Sequence, residues 1–208
     1  MSSVYVHFFS VSLDGFGTGE GLSREEPFGH AGERLHEWIF VTRGWKEGGS
    51  GGVDDAFVQR HDMGIGAEIM GAGKFGYPGW ENDPDWKGWW GPNPPFHTPT
   101  FVLTHHTRPS IEMEGGTTFH FRDTSPAEAL EEARAAAGGQ HIRIGGGAKT
   151  IRSFLAERLI DHMHVAVVPI LLGRGERLWD GQEGLERDYA IESVSSPSGV
   201  THLTFTRR

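Results

Sequence analysis

The sequence has no cysteine, which excludes a disulfide framework and any thiolate metal site and leaves the redox compartment unreadable. It also lacks a basic block: 19 Lys and Arg face 28 Asp and Glu, for a formal charge of -9, and the cations do not gather in one stretch. General nucleic-acid binding rests on neutralising phosphates and is therefore disfavoured, although a few local cations would serve one small phosphorylated ligand. No apolar run approaches the length of a membrane span. The opening MSSVYVHFFSVSLDG has no basic stretch ahead of its short apolar run, so no signal peptide is expected. The expectation is a soluble, cytoplasmic protein with neither membrane nor nucleic-acid partners. Glycine, by contrast, is abundant. Its 31 residues among 208 are about twice the usual share of roughly 7%, so loops must occupy much of the chain. The length suits one domain over residues 1–208.

The stretch HIRIGGGAKTIRSFLAERLIDHMHVAVVPILLGRG, from His141 to Gly175, organises the rest. Ile142 and Ile144 mark a short strand that Gly145, Gly146 and Gly147 break. From Ala148 the apolar residues Ile151, Phe154, Leu155 and Leu159 fall at the spacing of one buried helix stripe. His162 to Leu172 is nearly continuous in Val and Ile, as in a strand covered on both faces. The spacing predicts a parallel βαβ unit. Its glycine turn admits two readings. One is an anion cradle, in which unpartnered helix amides meet a phosphate. The other is a tight turn that needs glycine only for packing. A P-loop is excluded by Arg143 and Ala148, and the dinucleotide fingerprint by Thr150.

Along the chain, Val4 to Val11 predicts a central strand that ends in SLDG, where Asp14 either meets a ligand or shapes the turn. Helices are predicted at Glu33 to Phe40 and Val53 to Arg60. Asp54 and Asp55 stand in the first turn of the second, where capping is the plain role and binding or protonating a nitrogen heterocycle the sharper one. Ala67 to Met70 is a buried strand followed by GAGKFG. Gly71, Gly73 and Gly76 match G-x-G-x-x-G literally, but no acidic residue follows at the required distance and YPGW replaces the long helix. That leaves a second glycine turn opening a short helix, with Lys74 available to an anion. Residues 77–99 carry four tryptophans among six prolines, which reads as a small satellite core or as a stacking surface for a ligand.

Thr100 to Leu103 is a strand ending in Thr104, His105, His106, Thr107 and Arg108, groups suited to a phosphate monoester. Adjacent strand residues point to opposite faces, so His105 and His106 do not share a metal, and His162 with His164 lacks a third ligand. No metal is expected. Thr117 to Phe121 is a further strand, and Ser125, Pro126 and Glu128 predict a capped helix ending at Gly138 and Gly139. Tyr189 to Val194 and Val200 to Thr206 flank SSPSG, so a hairpin closes a mixed sheet.

With these pieces in place, the chain resembles the dihydrofolate reductase-like superfamily. It is most similar to the reductase domain at the C-terminus of bacterial riboflavin-biosynthesis deaminase-reductases. The resemblance rests on SLDG at 12–15, IMGAGKFG at 69–76, FVLTHHTR at 101–108, RIGGGAKTIRSFLAERLIDHMHVAVVPILLGRGERLW at 143–179 and the terminal hairpin. It implies a three-layer α/β fold: a mixed, mostly parallel sheet flanked by helices, with a C-terminal antiparallel hairpin. It further implies a homodimer, a small-molecule substrate and NADPH as hydride donor.

Mapped by motif, Gly145, Gly146, Gly147 and Ala148 would hold the diphosphate. Gly71, Ala72, Gly73 and Lys74 with Thr104, His105 and Arg108 would surround the adenosine 2′-phosphate. Ser12, Asp14 and Gly15 would lie beside the nicotinamide, and Asp55 would be the substrate carboxylate. The family commonly has Gly-Arg where this chain has Gly71-Ala72, so the 2′-phosphate loses a fork-shaped partner for which Lys74 is only a point charge. The implied activity is reduction of a pyrimidine- or pterin-like substrate, of the ribosylamino-uracil reductase type. A non-catalytic nucleotide-binding protein and a dihydrofolate reductase are the alternatives.

Overall fold

Strands, mostly short, and a few helices build the protein. The computed structural model describes residues 2–60 and 63–208; Met1, with which the expected 1–208 domain begins, lies outside them. In chain order the elements are β1 (Val4–Ser12), β2 (Phe16–Thr18), α1 (Glu37–Phe40), α2 (Val53–Val58), β3 (Ile65–Gly71), α3 (Ala72–Phe75), β4 (Pro99–Leu103), β5 (Ile111–Glu112), β6 (Thr118–Arg122), α4 (Pro126–Ala136), β7 (His141–Ile144), α5 (Ala148–Ala156), β8 (His162–Val168), β9 (Glu176–Arg177), β10 (Tyr189–Ser195) and β11 (Thr201–Arg207). They fall into two compact units, Met1–Tyr5 with Gly64–Ile160 and Val6–Met63 with Asp161–Arg208. Among the described residues no helix is long and apolar enough to cross a membrane.

In the first unit the strand order is β1-β7-β3-β4-β6-β5, parallel except where β5 meets β6. β3 is buried along almost its whole length, as a parallel strand covered on both faces must be. α4 starts as its sequence dictates. The Ser125 hydroxyl accepts from the Glu128 amide at 3.3 Å and the Glu128 carboxylate accepts from the Ser125 amide at 3.1 Å, with Pro126 in the first turn. Its Ala129, Leu130 and Ala133 are buried. The tryptophan- and proline-rich segment packs into a core of its own. Trp80 joins Met70, Phe75, Val102, Phe119 and Phe121, with Tyr77, Trp86, Trp90 and Phe96 against them. The Trp86 indole donates to the Phe75 carbonyl at 3.1 Å, which satisfies the polar edge of a half-buried ring.

In the second unit the order is β10-β11-β8-β1, and β11 runs antiparallel to both β10 and β8. The hairpin turns over Ser196–Val200, where the Ser196 amide donates to the Val200 carbonyl at 2.8 Å. Phe16, Leu35, Trp38, Ile39, Val58, Ala166, Val168, Leu172 and Val200 form its core.

Two expectations are corrected in this unit, and one feature is new. β8 stops at Val168 rather than Leu172 because Pro169 has no amide to continue the ladder. The helix expected over Glu33–Phe40 is split into a 3-10 turn, Gly32–Leu35, and α1. His36 causes the break: its amide donates back to Glu33 and its ring nitrogen lies 3.3 Å from the Gly32 carbonyl, closing the turn locally. The ribbon of β2 with β9, only three and two residues long, is additional.

Candidate functional site

The glycine turns of the first unit are joined through their backbones. β7 is prolonged by Gly145, whose amide donates to the Ile69 carbonyl at 2.8 Å. A Cβ there would collide with a Glu68 carboxylate oxygen and come within 2.5 Å of the Lys74 ammonium, so the position is closed to side chains. Gly146 has φ 104, a conformation open to glycine; its carbonyl accepts from the Gly71 amide at 2.9 Å. A Cβ on Gly71 would strike the Thr150 hydroxyl. Gly71 and Gly145 were expected to offer amides to a ligand, and both amides are already used inside the protein.

The next residues differ. The Gly147 carbonyl accepts the first bond of α5, from Ile151 at 3.1 Å. Among the described residues no acceptor lies on the amides of Gly146, Gly147, Ala148 or Thr150. No side chain caps the helix, and a Cβ on Gly147 would meet nothing within 4 Å. Unpartnered amides at the positive end of a helix, with room for a group beside Gly147, are what an anion would need.

Lys74 does not stand free. Its ammonium lies 3.0 Å from Glu68, whose other oxygen accepts from Arg143 at 2.9 Å. Glu68 is fully buried, while 29% of the Lys74 side chain remains exposed. Burial pushes the Glu68 carboxyl up, but the charges of Arg143 and Lys74 outweigh it and hold the group below its usual range. Burial and neighbouring Arg143 lower Lys74 against the pull of Glu68. Only carboxylate-to-cation pairing of this kind makes an ionised Glu tolerable inside a sheet.

Around the 104–108 loop the expected phosphate ligands are also occupied. The buried Thr104 hydroxyl accepts from the His106 amide at 3.0 Å. His105 pairs with Asp123 at 2.7 Å. Arg108 points into an aromatic cage, its guanidinium carbon 4.7 Å from the Phe121 ring centre, 5.0 Å from Trp80 and 5.5 Å from Phe75. Its terminal nitrogens donate to the carbonyls of Asp83 and Trp86, and its Nε is buried without a partner. Arg108 therefore fastens the tryptophan-rich loop to the sheet. Ala72 packs against that core and Gly73 faces open space.

In the second unit the SLDG turn is locked from within. The Ser12 hydroxyl donates to Asp14 at 2.6 Å and accepts from the Phe16 amide at 3.0 Å. Asp14 also accepts from the amides of Leu172 and Gly173, at 3.1 and 2.7 Å. Burial would raise its pKa, but these hydrogen bonds prevail and hold it at about 2. Gly15 takes φ 83, and its carbonyl accepts from Leu178 at 3.0 Å. The side chains of Ser12 and Asp14 thus shape the turn.

Asp55, the expected catalytic carboxylate, is buried. Its two oxygens accept from the Gly44 amide at 2.7 Å and the Gln59 amide group at 2.8 Å. The geometry gives it the role of a loop anchor. Its neighbour Asp54 ends a chain that sequence reasoning missed. Phe8 N–H donates to His164 Nδ1 at 3.1 Å, His164 Nε2 lies 3.0 Å from His202 Nδ1, and His202 Nε2 lies 2.7 Å from Asp54. Because His164 Nδ1 accepts, both imidazoles are neutral and each donates through Nε2. Phe57 stacks on both rings, at 4.1 and 4.4 Å. The pattern of His164 and His202 on adjacent antiparallel strands was the available signal.

A mixed, mostly parallel sheet with an antiparallel C-terminal hairpin and few helices is the architecture of the dihydrofolate reductase-like fold. The match of the RibD C-terminal domain family model to residues 4–200 is decisive, and the chain belongs to that family. Two crystal structures share its fold. One, described as a "Putative riboflavin biosynthesis protein" from Shewanella sp. PV-4, has a TM-score of 0.62 and 23% identity over 100% of this chain and 99% of its own. The other, a pyrimidine reductase-like protein from Corynebacterium diphtheriae, has a TM-score of 0.54 and 15% identity over 100% of this chain and 92% of its own. No curated protein matches the sequence.

Proposed function

We propose that this protein is a reductase of the riboflavin-pathway pyrimidine-reductase type. It would use NADPH, as the family generally does, and act on a small pyrimidine- or pterin-like ring such as a ribosylamino-uracil. The observation that carries this reading is the row of unpartnered amides at Gly146, Gly147, Ala148 and Thr150, with room beside the Gly147 Cα, in a chain of the RibD C-terminal domain family. These residues fit a diphosphate, which needs several N–H donors and close backbone approach. The α5 amides would hold it, and the absence of a side chain at Gly147 would let it approach. When bound, the dinucleotide supplies the hydride.

The chain's own part is to bind and orient. Asp14 fixes the 12–15 turn by accepting from the Leu172 and Gly173 amides, and Asp55 fixes the loop at Gly44. No proton transfer is assigned to Asp55. Its engagement favours a second reading, a dinucleotide-binding protein without turnover. By the same resemblance we take the chain as one domain, cytoplasmic and homodimeric.

Titration of tryptophan fluorescence with NADPH tests the proposal. Absence of binding at millimolar cofactor rejects both readings. Binding with no oxidation of NADPH in the presence of ribosylamino-uracil or dihydrofolate leaves the second.

A further inference from the structure

In the proposed function the α5 turn holds the diphosphate; the inference rests on that reading and concerns the adenosine end of the dinucleotide. A phosphate monoester carries close to two negative charges at neutral pH and is best held by forked or multiple cationic donors that have no other partner. In the two loops mapped to that group, Gly71–Lys74 and Thr104–Arg108, each Lys and Arg is held by the protein. Lys74 is paired with the fully buried Glu68 at 3.0 Å. Arg108 is enclosed by Phe75, Trp80 and Phe121 and tied to the carbonyls of Asp83 and Trp86; its remaining donor, Nε, is buried. His105 is exposed but sits 2.7 Å from Asp123, so an anion on that imidazole would stand beside a carboxylate. Of the nearby cations, Lys74 and Arg143 share the Glu68 carboxylate, Arg122 is paired with Glu132 and Arg108 has Asp83 beside it, so each already has an acidic neighbour.

We infer that this chain does not select for the 2′-phosphate: a dinucleotide without it binds as well as one that carries it. The residues fit a diphosphate and do not fit a second, monoester phosphate. Cofactor use is thereby relaxed, with NADH accepted alongside NADPH.

The test is direct binding, read by tryptophan fluorescence and by calorimetry without substrate. NAD+ and NADP+ are compared on the wild-type chain, and 5′-AMP with adenosine 2′,5′-bisphosphate as fragments. The expected result is dissociation constants within about threefold in each pair. NADP+ or the bisphosphate binding tenfold or more tightly overturns the inference while leaving the reductase reading intact. Failure of both dinucleotides to bind at millimolar concentration removes the reading and the inference together.

Two variants report on the cause. Asp123→Asn relieves the carboxylate beside His105 and should shift preference toward NADP+ by several-fold. Ala72→Arg adds a fork at the first residue of α3 and should tighten NADP+ at least tenfold, with NAD+ unchanged within twofold. If both variants fold, as judged by circular dichroism, and both leave the NADP+ to NAD+ ratio unmoved, the electrostatic explanation is wrong.

Discussion

The buried histidine chain predicts a specific acid sensitivity. His164 is almost inaccessible and its pKa falls from 6.5 to about 3, chiefly through burial, with His202, His7 and Arg60 further opposing a proton there. A histidine held neutral in the folded state is protonated first in the unfolded chain. The unfolded state therefore binds more protons below pH 6.5, and folded stability falls as pH drops from that value toward 3. At pH 5 the unfolded group lies about 1.5 units below its pKa and is protonated, while the folded one is not. At about 1.4 kcal/mol per unit, this single residue removes about 2 kcal/mol between pH 7 and pH 5. For a chain of this length that corresponds to roughly 4–8 °C in Tm.

Urea denaturation of the wild type and His164→Gln at both pH values measures it. The variant should be less stable at pH 7, having lost a buried hydrogen-bond partner, yet its loss on going to pH 5 should be smaller by about 2 kcal/mol. His202 is lowered by burial against the pull of Asp54, so part of the wild-type sensitivity persists in the variant. Equal losses in the two proteins would refute the neutral, buried assignment of His164.

Three further outcomes are expected. Gly147→Ala puts a methyl group where nothing lies within 4 Å, at φ −72. Stability should change by less than about 0.5 kcal/mol, while NADPH affinity falls at least about tenfold; unchanged affinity would show that the dinucleotide does not use this turn. Glu68→Gln leaves Arg143 and Lys74 without their shared counter-charge in the sheet. Denaturation should show a loss of about 3–5 kcal/mol, and a loss below about 1 kcal/mol would mean that the cluster is not desolvated. Arg108→Ala empties the aromatic cage and frees the carbonyls of Asp83 and Trp86. Limited proteolysis should then cut within 77–99 faster than in the wild type, and unchanged cleavage would deny Arg108 its fastening role.

Much of the fold was legible because its signals are local and periodic. The period-two strands, the Ser125–Glu128 capping box and the terminal hairpin stand where the sequence places them. The failures in the fold lie in short elements and element ends. Two- and three-residue strands such as β2 and β9 are too brief to carry a period. The split before α1 follows from where the His36 amide and ring bond, which propensity does not encode. In the candidate site the glycine turn itself was legible, since three consecutive glycines between a short strand and a helix stripe mark a tight turn, although its two readings were not separated by the sequence. The fates of Lys74, Arg108 and Asp55 were not, because their partners are Glu68, the Asp83 and Trp86 carbonyls and the Gly44 amide, none of which sequence spacing brings to notice.

In both units the polar side chains that looked like ligand contacts are instead the means by which the backbone is shaped. Asp14 gathers the Ser12 hydroxyl and two amides to set one turn. Glu68 and Lys74 lie against Gly145 so closely that no side chain fits there, and the Gly71 amide is tied to the Gly146 carbonyl. At the α5 turn, the donors left without a partner among the described residues are backbone: the amides from Gly146 to Ala148 and that of Thr150. Donors of that kind recognise the diphosphate common to many nucleotides and carry little information about the rest of the molecule. On the proposed reading, selectivity comes from the shape left around that turn rather than from charged side chains, and substitutions that alter volume near Gly147 and Gly73 should change ligand preference more than substitutions that alter charge at Lys74 or Arg108.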